Sequence, residues 1–468
     1  MIEGLKPYPK MKDSGVPWLG QVPEHWTLQR MKTVLHERVE KGFPEEPLLA
    51  ATQTKGVVRK ERYESRTVVA MKDLHLLKLV RSGDFVISLR SFQGGIEYAR
   101  EQGIISPAYT ILYSLKADSH GYLARLFKSL PYIENLSLYV TGIRQGQNID
   151  YVRLARDWIP SPPPSDQAAI ANFLAHADRR IRRLIRSKQK LITVLEEQKQ
   201  AIIHRTVTRG LDPEVRLKPS GVTWLGDIPE HWEMHRIGKL FTERSATGDA
   251  DLPILMVTIG QGITVGQDID EDGKPRRLIE DRTKYKIARK DDIAYNTMRM
   301  WQGAVGVSPT DGLVSPAYVV ASPRPEVNPN YYTMLFRTAA CKSEITSRSR
   351  GIVDDRNRLY WDQFKDIAVP TPSFKEQDRI VAALTEGLKG PSQCHRAALD
   401  SIAFLRELRI RLISDVVTGK LDVREAAARL PADDLAGDDP FDDSDTAADS
   451  EEDDDSVTES DAEDGDGG

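Results

Sequence analysis

The chain is 468 residues long, enough for two or three domains that each bury their own core. Its formal charge of −5 conceals an asymmetry: residues 431–468 hold 18 Asp or Glu and no Lys or Arg, so the first 430 carry 65 basic against 52 acidic residues. A basic body points to a polyanionic partner, unless the excess is spread evenly and confers only solubility. Two cysteines, Cys341 and Cys394, exclude a disulfide framework or a zinc site and read as buried and reduced; with a polar N-terminus and no apolar run near the ~20 residues of a membrane helix, the chain reads as cytoplasmic.

Residues 1–26 form an N-terminal segment ending in SGVPWLGQVPEHW, Ser14 to Trp26. Residues 27–164 mix short β-like runs, Asp84 to Leu89 and Ile104 to Leu112, with Gly and Pro punctuation, and read as an irregular α/β domain. A central spacer helix region, 165–212, follows a Pro-rich stop. Its helix is expected from about Asp166 to Val207, with Ser165 as N-cap and Gly210 as C-terminal stop. The seam Ile170, Leu174, Ala177, Ile181, Leu184, Lys188, Leu191, Leu195, Gln198 and Ile202 steps alternately by four and three, a heptad pattern.

Residues 213–232 then repeat the N-terminal segment: SGVTWLGDIPEHW, Ser220 to Trp232, matches ten of thirteen positions 206 residues on. Residues 233–372 form a second α/β domain, with Leu252 to Ile259 and Val314 to Ala321 as expected strands. A C-terminal spacer helix region, 373–430, opens with a capping-box pattern, Ser373 and Glu376. Gly387, Gly390 and Pro391 interrupt its seam, so a kink or break is expected near Pro391 before Leu405, Leu408 and Leu412 resume it. Residues 431–468 cannot bury enough apolar surface to offset ordering entropy and are expected to be disordered, either as a solubilising extension or as a competitor of DNA for the basic surface.

The repetition extends beyond one segment. GIISPAY (Gly103 to Tyr109) returns as GLVSPAY (Gly312 to Tyr318), IPSPPPSDQ (Ile159 to Gln167) as VPTPSFKEQ (Val369 to Gln377), and VTRGLD (Val207 to Asp212) as VTGKLD (Val417 to Asp422). A unit of about 208 residues is too long for a solenoid repeat and is the size of a domain plus connector. The fold class is therefore α+β: two α/β domains separated by two long coiled-coil-like helices, with an internal pseudo-twofold repeat. Such symmetry suits a dyadic partner, and duplex DNA is one.

Catalytic patterns are lacking. Gly419-Lys420 has no phosphate loop before it, and Gly260, Gly262 and Gly266 have the wrong spacing for a dinucleotide fingerprint and read as a tight turn. No Asn-Pro-Pro-Tyr or Asp-Pro-Pro-Tyr motif occurs; Asn328-Pro329-Asn330 reads as a turn. His25 and His231 have no second ligand at metal spacing. The reading is a non-catalytic binder without cofactor or metal, the rivals being a divergent nuclease and a coiled-coil scaffold with no direct DNA role.

Binding chemistry concentrates where Arg, Gln or Asn meets Gly. In the first domain these residues are Arg90, Ser91 and Gln93, then Arg144, Gln145, Gln147 and Asn148. In the second they are Arg299, Trp301 and Gln302, then Arg350, Arg356, Asn357 and Arg358. Arg pairs bidentately with guanine and Gln or Asn with adenine in the major groove, and glycine admits close backbone approach to a phosphate. The alternative is a set of solvated polar loops.

Taken in order, YPKMKDSGVPWLGQVPEHW, a variable domain, IPSPPPSDQAAIANFL and a long helix ending in VTRGLD resemble a type I restriction-modification specificity subunit. The resemblance runs from about residue 8 to 425, with the boxes in the same order twice. It implies two target recognition domains, each reading half of a split double-stranded DNA site, held apart by two antiparallel helices. It also implies two adenine methyltransferase subunits docked on the helices, and added restriction-translocase subunits that make the assembly an ATP-dependent endonuclease, in a phage-defence role. The specificity subunit itself is not a catalyst. The acidic tail lies outside the family pattern, and the base-reading residues are not transferred, because the family's recognition domains vary there.

Overall fold

The computed structural model describes residues 5–62, 73–116, 119–142, 148–248, 251–265, 282–349 and 357–431. The expected acidic tail, beyond 431, lies outside them. The chain divides into two compact units: one holds the described residues up to Gln189 and those from Leu399 on, the other Lys190–Ala398. Each unit therefore takes part of both long helices.

In the first unit, a four-stranded antiparallel sheet runs in the order Leu35–Arg38, Thr110–Ser114, Phe85–Ile87, Glu97–Tyr98. The second unit repeats it as Phe241–Glu243, Tyr318–Pro323, Ile293–Asn296, Val305–Val307. Two helices, His120–Phe127 and Leu130–Leu136, accompany the first sheet, and Pro329–Phe336 and Ala339–Arg348 the second. Asn328-Pro329-Asn330, expected as a turn, starts a helix: Asn328 is its N-cap, and its side chain accepts from the Asn330 N–H.

The expected long strands are split in both copies. Gly103–Ile105 and Thr110–Ser114 are separate, as are Gly312–Val314 and Tyr318–Pro323. The Ser-Pro-Ala-Tyr sequence between them turns the chain, with Tyr109 N–H donating to the Ser106 carbonyl and Tyr318 N–H to that of Ser315. Proline has no N–H for a ladder, so an apolar run crossing it does not remain one strand. Each turn is fastened by a lysine, Lys78 or Lys286, donating to the tyrosine carbonyl at 2.7 Å. The glycine opening each box is dictated by crowding: a Cβ at Gly103 would lie 2.4 Å from the Pro47 carbonyl, and one at Gly312 2.8 Å from that of Pro253.

The first long helix spans Pro164–Arg209, starting earlier than expected. Ser165 lies inside it rather than capping it; the Pro163 carbonyl receives the N–H groups of Asp166 and Gln167, and Pro164 takes the first helical position, where its missing N–H costs nothing. The expected seam holds for Ile170, Leu174, Ala177 and Ile181, all buried. Then Leu184 is 45% exposed and Leu191 37%, while Ile185 is buried. A straight helix of 3.6 residues per turn drifts off a 3.5-residue repeat, so burial passes to the neighbouring ridge.

The second long helix is bent. Phe374–Gly387 and Lys389–Val417 are separated only by Leu388. The interruption expected near Pro391 sits one turn before it, because Pro391 cannot donate to the Gly387 carbonyl four residues back. Ser373 takes the N-cap position, but its side chain makes no capping bond, and Glu376 turns to His231 instead; the expected capping box is not formed. In the second unit the two helices run antiparallel, Glu196 facing His395 at 3.1 Å while Glu376 lies beside Gly210.

The helix ends complete the globular cores. In the first unit Tyr122 donates its hydroxyl to the Val417 carbonyl at 3.0 Å, and in the second Tyr331 donates to that of Val207 at 2.8 Å. The tryptophans of the PEHW boxes, Trp26 and Trp232, are both 0% exposed at these joints. Gly419 has φ +79°, and a Cβ there would lie 2.4 Å from Pro23. The adjoining histidines each meet a carboxylate at the start of a long helix, His25 with Asp166 at 2.8 Å and His231 with Glu376 at 3.0 Å.

The first unit also buries a charged cluster. Asp178, 2% exposed, receives Arg409 of the second long helix at 2.5 Å and Arg182 of its own helix, with Arg125 of His120–Phe127 at 4.0 Å. In the second unit Leu388 stands in the place of Asp178 and Met334 in that of Arg125, both packed against an apolar core. Removing one partner of a buried ion pair costs about 3–5 kcal/mol because the other charge is left desolvated. Asp178→Ala is therefore expected to destabilise the first unit by about that amount in denaturant unfolding, and Leu388→Ala in the second by the smaller, apolar cost of about 2–3 kcal/mol.

Cys341 is buried, and burial pushes its thiol well above the ordinary range, whereas Cys394 is exposed rather than buried as expected. A thiol reagent is expected to label one cysteine per native chain, abolished by Cys394→Ser, and two after denaturation.

Candidate nucleic-acid interface

The candidate loops stand on one framework built twice. Arg38 grips Asp84 through Nε at 2.8 Å, and Arg244 grips Asp292 at 2.6 Å. The Arg81 and Arg289 N–H groups close on the same aspartates at 2.8 and 2.9 Å. The hairpins Leu49–Thr52/Gly56–Arg59 and Leu255–Thr258/Gly262–Val265 carry matching threonine hydroxyls, Thr52 donating to the Gly56 carbonyl and Thr258 to that of Gly262. Gly262, at φ +85°, thus belongs to the tight turn expected there.

On this framework Arg90 follows the strand Phe85–Ile87 and precedes the helical turn Ser91–Gly94. It is half-buried and Gln93 is exposed. Ser91 is buried, and its Oγ accepts the Ser88 N–H at 2.9 Å, so its hydroxyl holds the turn together instead of facing solvent. Asn148 is exposed on the hairpin Val140–Thr141/Asn148–Ile149, with Oδ1 accepting the Ile149 N–H. Arg144, Gln145 and Gln147 lie outside the described residues.

In the second unit Arg299 is exposed at the start of the turn Met300–Gln302. Trp301 is half-buried, its indole N–H donating to the Met298 carbonyl at 2.9 Å. Gln302 is half-buried, with Oε1 buried and lacking a hydrogen-bond partner among the described residues. The Leu359 N–H donates to the Thr297 carbonyl at 2.9 Å, which brings Asn357 and exposed Arg358 beside the Arg299 turn although they are distant in sequence. Arg350 and Arg356 lie outside the described residues.

Sequence reasoning missed two further features. Leu89 and Met298, equivalent in the two copies, are 39% and 42% exposed beside Arg90 and Arg299. Exposed apolar groups next to an arginine on a loop can meet a thymine methyl. The second feature is Arg337, half-buried beneath the Arg299 turn, where burial lowers its pKa below the ordinary guanidinium value. Leu89 and Met298 could have been found by aligning the copies loop by loop. A crevice of about 310 Å³ lined by Ser347, Arg348, Ser349, Asp362, Gln363 and Asp366 is a poorer anion site, because its two carboxylates outnumber its one cation.

No family model matches the sequence. The fold is nevertheless of a known class. It is similar to a chain from a structure of complex assembly and conformational transition in a type I restriction-modification system, with a TM-score of 0.60 and 16% identity, over 85% of this chain and 98% of that one. The HsdS subunit from Thermoanaerobacter tengcongensis matches with a TM-score of 0.45 and 16% identity, over 85% of this chain and 98% of its own. The type I S subunit from M. genitalium matches with a TM-score of 0.32 and 14% identity, over 88% and 98%. The first likeness shows the fold, and it is the α+β architecture of two mixed regions and long helices expected from sequence. Among the described residues no helix is long and apolar enough to cross a membrane.

Proposed function

We propose that the protein is the specificity subunit of a type I restriction-modification complex. It reads a bipartite DNA target with two recognition domains, bounded near residues 27–164 and 233–372, and carries methyltransferase and restriction subunits without catalysing a reaction. One observation supports this most: a framework of matching ion pairs, turns and joints is built twice, and its equivalent turns keep Arg90/Arg299 and Gln93/Gln302 while differing at Leu89/Met298, Ser91/Met300 and Phe92/Trp301. Matching scaffolds with different loops suit two half-sites of different sequence. Lys and Arg contacts to phosphate supply affinity, and Arg90, Gln93, Asn148, Arg299, Asn357 and Arg358 supply base contacts.

Mapping of methylated adenines in the host genome tests the reading. A split motif with a fixed gap, lost on deletion of this chain, is expected; a host methylome unchanged by the deletion removes it. Arg299→Ala is expected to weaken recognition by ~1–3 kcal/mol and to relax one half-site only, read by the same mapping. Equal loss on all sequences would make Arg299 a phosphate contact.

The long helices set the gap between half-sites. Four residues inserted near Lys188 add ~6 Å of helix. At 3.4 Å per base pair along each strand, the gap is expected to lengthen by at most about two base pairs while both half-sites stay the same. A seven-residue insertion, which keeps the heptad register, controls for disturbed packing. An active variant with an unchanged gap would remove the helix from this role. Charge reversal at exposed Arg183 and Arg186 is expected to lower co-purification of the methyltransferase subunits, and full assembly of the double mutant counts against docking there.

A further inference from the structure

Equivalent cations follow equivalent helices in the two units, and among the described residues only the first has a carboxylate partner. In the first unit, Lys128 follows the helix His120–Phe127. Its Nζ pairs with Glu97 Oε1 at 2.5 Å and donates to the carbonyls of Gln53 and Gly94 at 2.9 and 2.8 Å. Glu97 is 2% exposed, so the ammonium is compensated inside the protein.

In the second unit, Arg337 follows the helix Pro329–Phe336 in the same way. Its Nη2 donates to the Val305 carbonyl at 2.6 Å, and its Nε is buried without a hydrogen-bond partner among the described residues. Gly306 stands where the first unit has Glu97, each one pairing with the sheet's third strand, Gly306 with Ala294 and Glu97 with Val86. No carboxylate can be restored there, because a Cβ at Gly306 would lie 2.6 Å from the Ile263 nitrogen. The excess charge is therefore fixed by backbone packing.

A second basic side chain shares the turn with the first. A Cβ at Gly303 would lie 3.7 Å from both Arg337 Cγ and Lys342 Cδ, so both side chains pass along the turn that presents Arg299. Lys342 is half-buried and makes no ion pair among the described residues. A half-buried guanidinium without a carboxylate among the described residues is left with a charge that an anion can complete.

We infer that Arg337 and Lys342 form a phosphodiester-binding site in the second recognition domain, and that the first domain lacks its counterpart because Glu97 neutralises Lys128. The inference rests on the DNA-reading function and adds to it an asymmetry: one domain grips the DNA backbone at a place where the other does not.

The test is a salt titration of duplex DNA binding by the full chain, purified with the subunits that accompany it. Each phosphate contact adds about 0.9 to the slope of log affinity against log salt on duplex DNA. Arg337→Gln and Lys342→Gln are expected to lower the slope, together by about 0.9, while Arg337→Lys keeps it. Glu97→Gln, which releases Lys128, is expected to raise it. If Arg337→Gln fails to fold, Lys342→Gln still decides. Wild-type slope in Lys342→Gln overturns the site while leaving the DNA-reading function intact. Absence of salt-dependent binding by the wild-type assembly instead overturns that function, and the site with it.

Discussion

Each globular core in this protein is closed by the end of a long helix, and much of the repeated sequence follows from that joint. The Tyr122 hydroxyl bonds the Val417 carbonyl, and the Tyr331 hydroxyl bonds that of Val207. Around each bond lie a fully buried tryptophan, a glycine with positive φ, and a histidine paired with a helix-start carboxylate. The helix end that completes the second core is contributed by the helix that leaves the first globular region. The compact units consequently do not follow the sequence repeats: Lys190–Ala398 is one unit, and the flanking segments make the other. A 46-residue helix with a partly exposed seam does not owe its stability to propensity alone; it is held at its ends by tertiary contacts.

The joint also explains why the two copies match only in islands. SGVPWLG…PEHW and VTGKLD meet in the first unit, and SGVTWLG…PEHW and VTRGLD in the second. The Ser-Pro-Ala-Tyr box is the third island, a turn fastened by Lys78 or Lys286. These places tolerate few residues because backbone carbonyls, glycine Cα atoms and buried rings fit within van der Waals distance. The turns carrying Arg90 and Arg299 keep their Arg, Gln and Gly, a Cβ at Gly94 lying 2.8 Å from Gln53, and diverge at the positions between, Ser91/Met300 and Phe92/Trp301.

Much of the architecture was legible in the sequence: the two mixed regions, both long helices, and the interruption of the second. What was not legible depended on partners distant in the chain. Proline inside an apolar run split strands that hydropathy had joined. The heptad seam holds as far as Ile181, and past it the burial of Ile185 over Leu184 follows from helix geometry and not from residue type. Glu376 looked like half of a capping box, but His231, far away in sequence, takes its carboxylate. Of the candidate interface, the Arg299 turn was legible from its Arg, Gln and Gly. Its nearness to Arg358 was not, since it rests on one backbone hydrogen bond between Leu359 and Thr297.

The deeper divergence between the copies is electrostatic within a shared geometry. Asp178 and Arg125 in one unit become Leu388 and Met334 in the other, so a buried ionic contact is exchanged for apolar packing at the same place. Trp26 donates its indole N–H to Asp166, whereas the Trp232 indole nitrogen is buried without a partner among the described residues. Glu97 beside Lys128 becomes Gly306 near Arg337. Backbone positions change little in such exchanges because close packing resists displacement, but local charge changes by whole units. A duplicated fold can diverge in this way without losing the joints that hold it together.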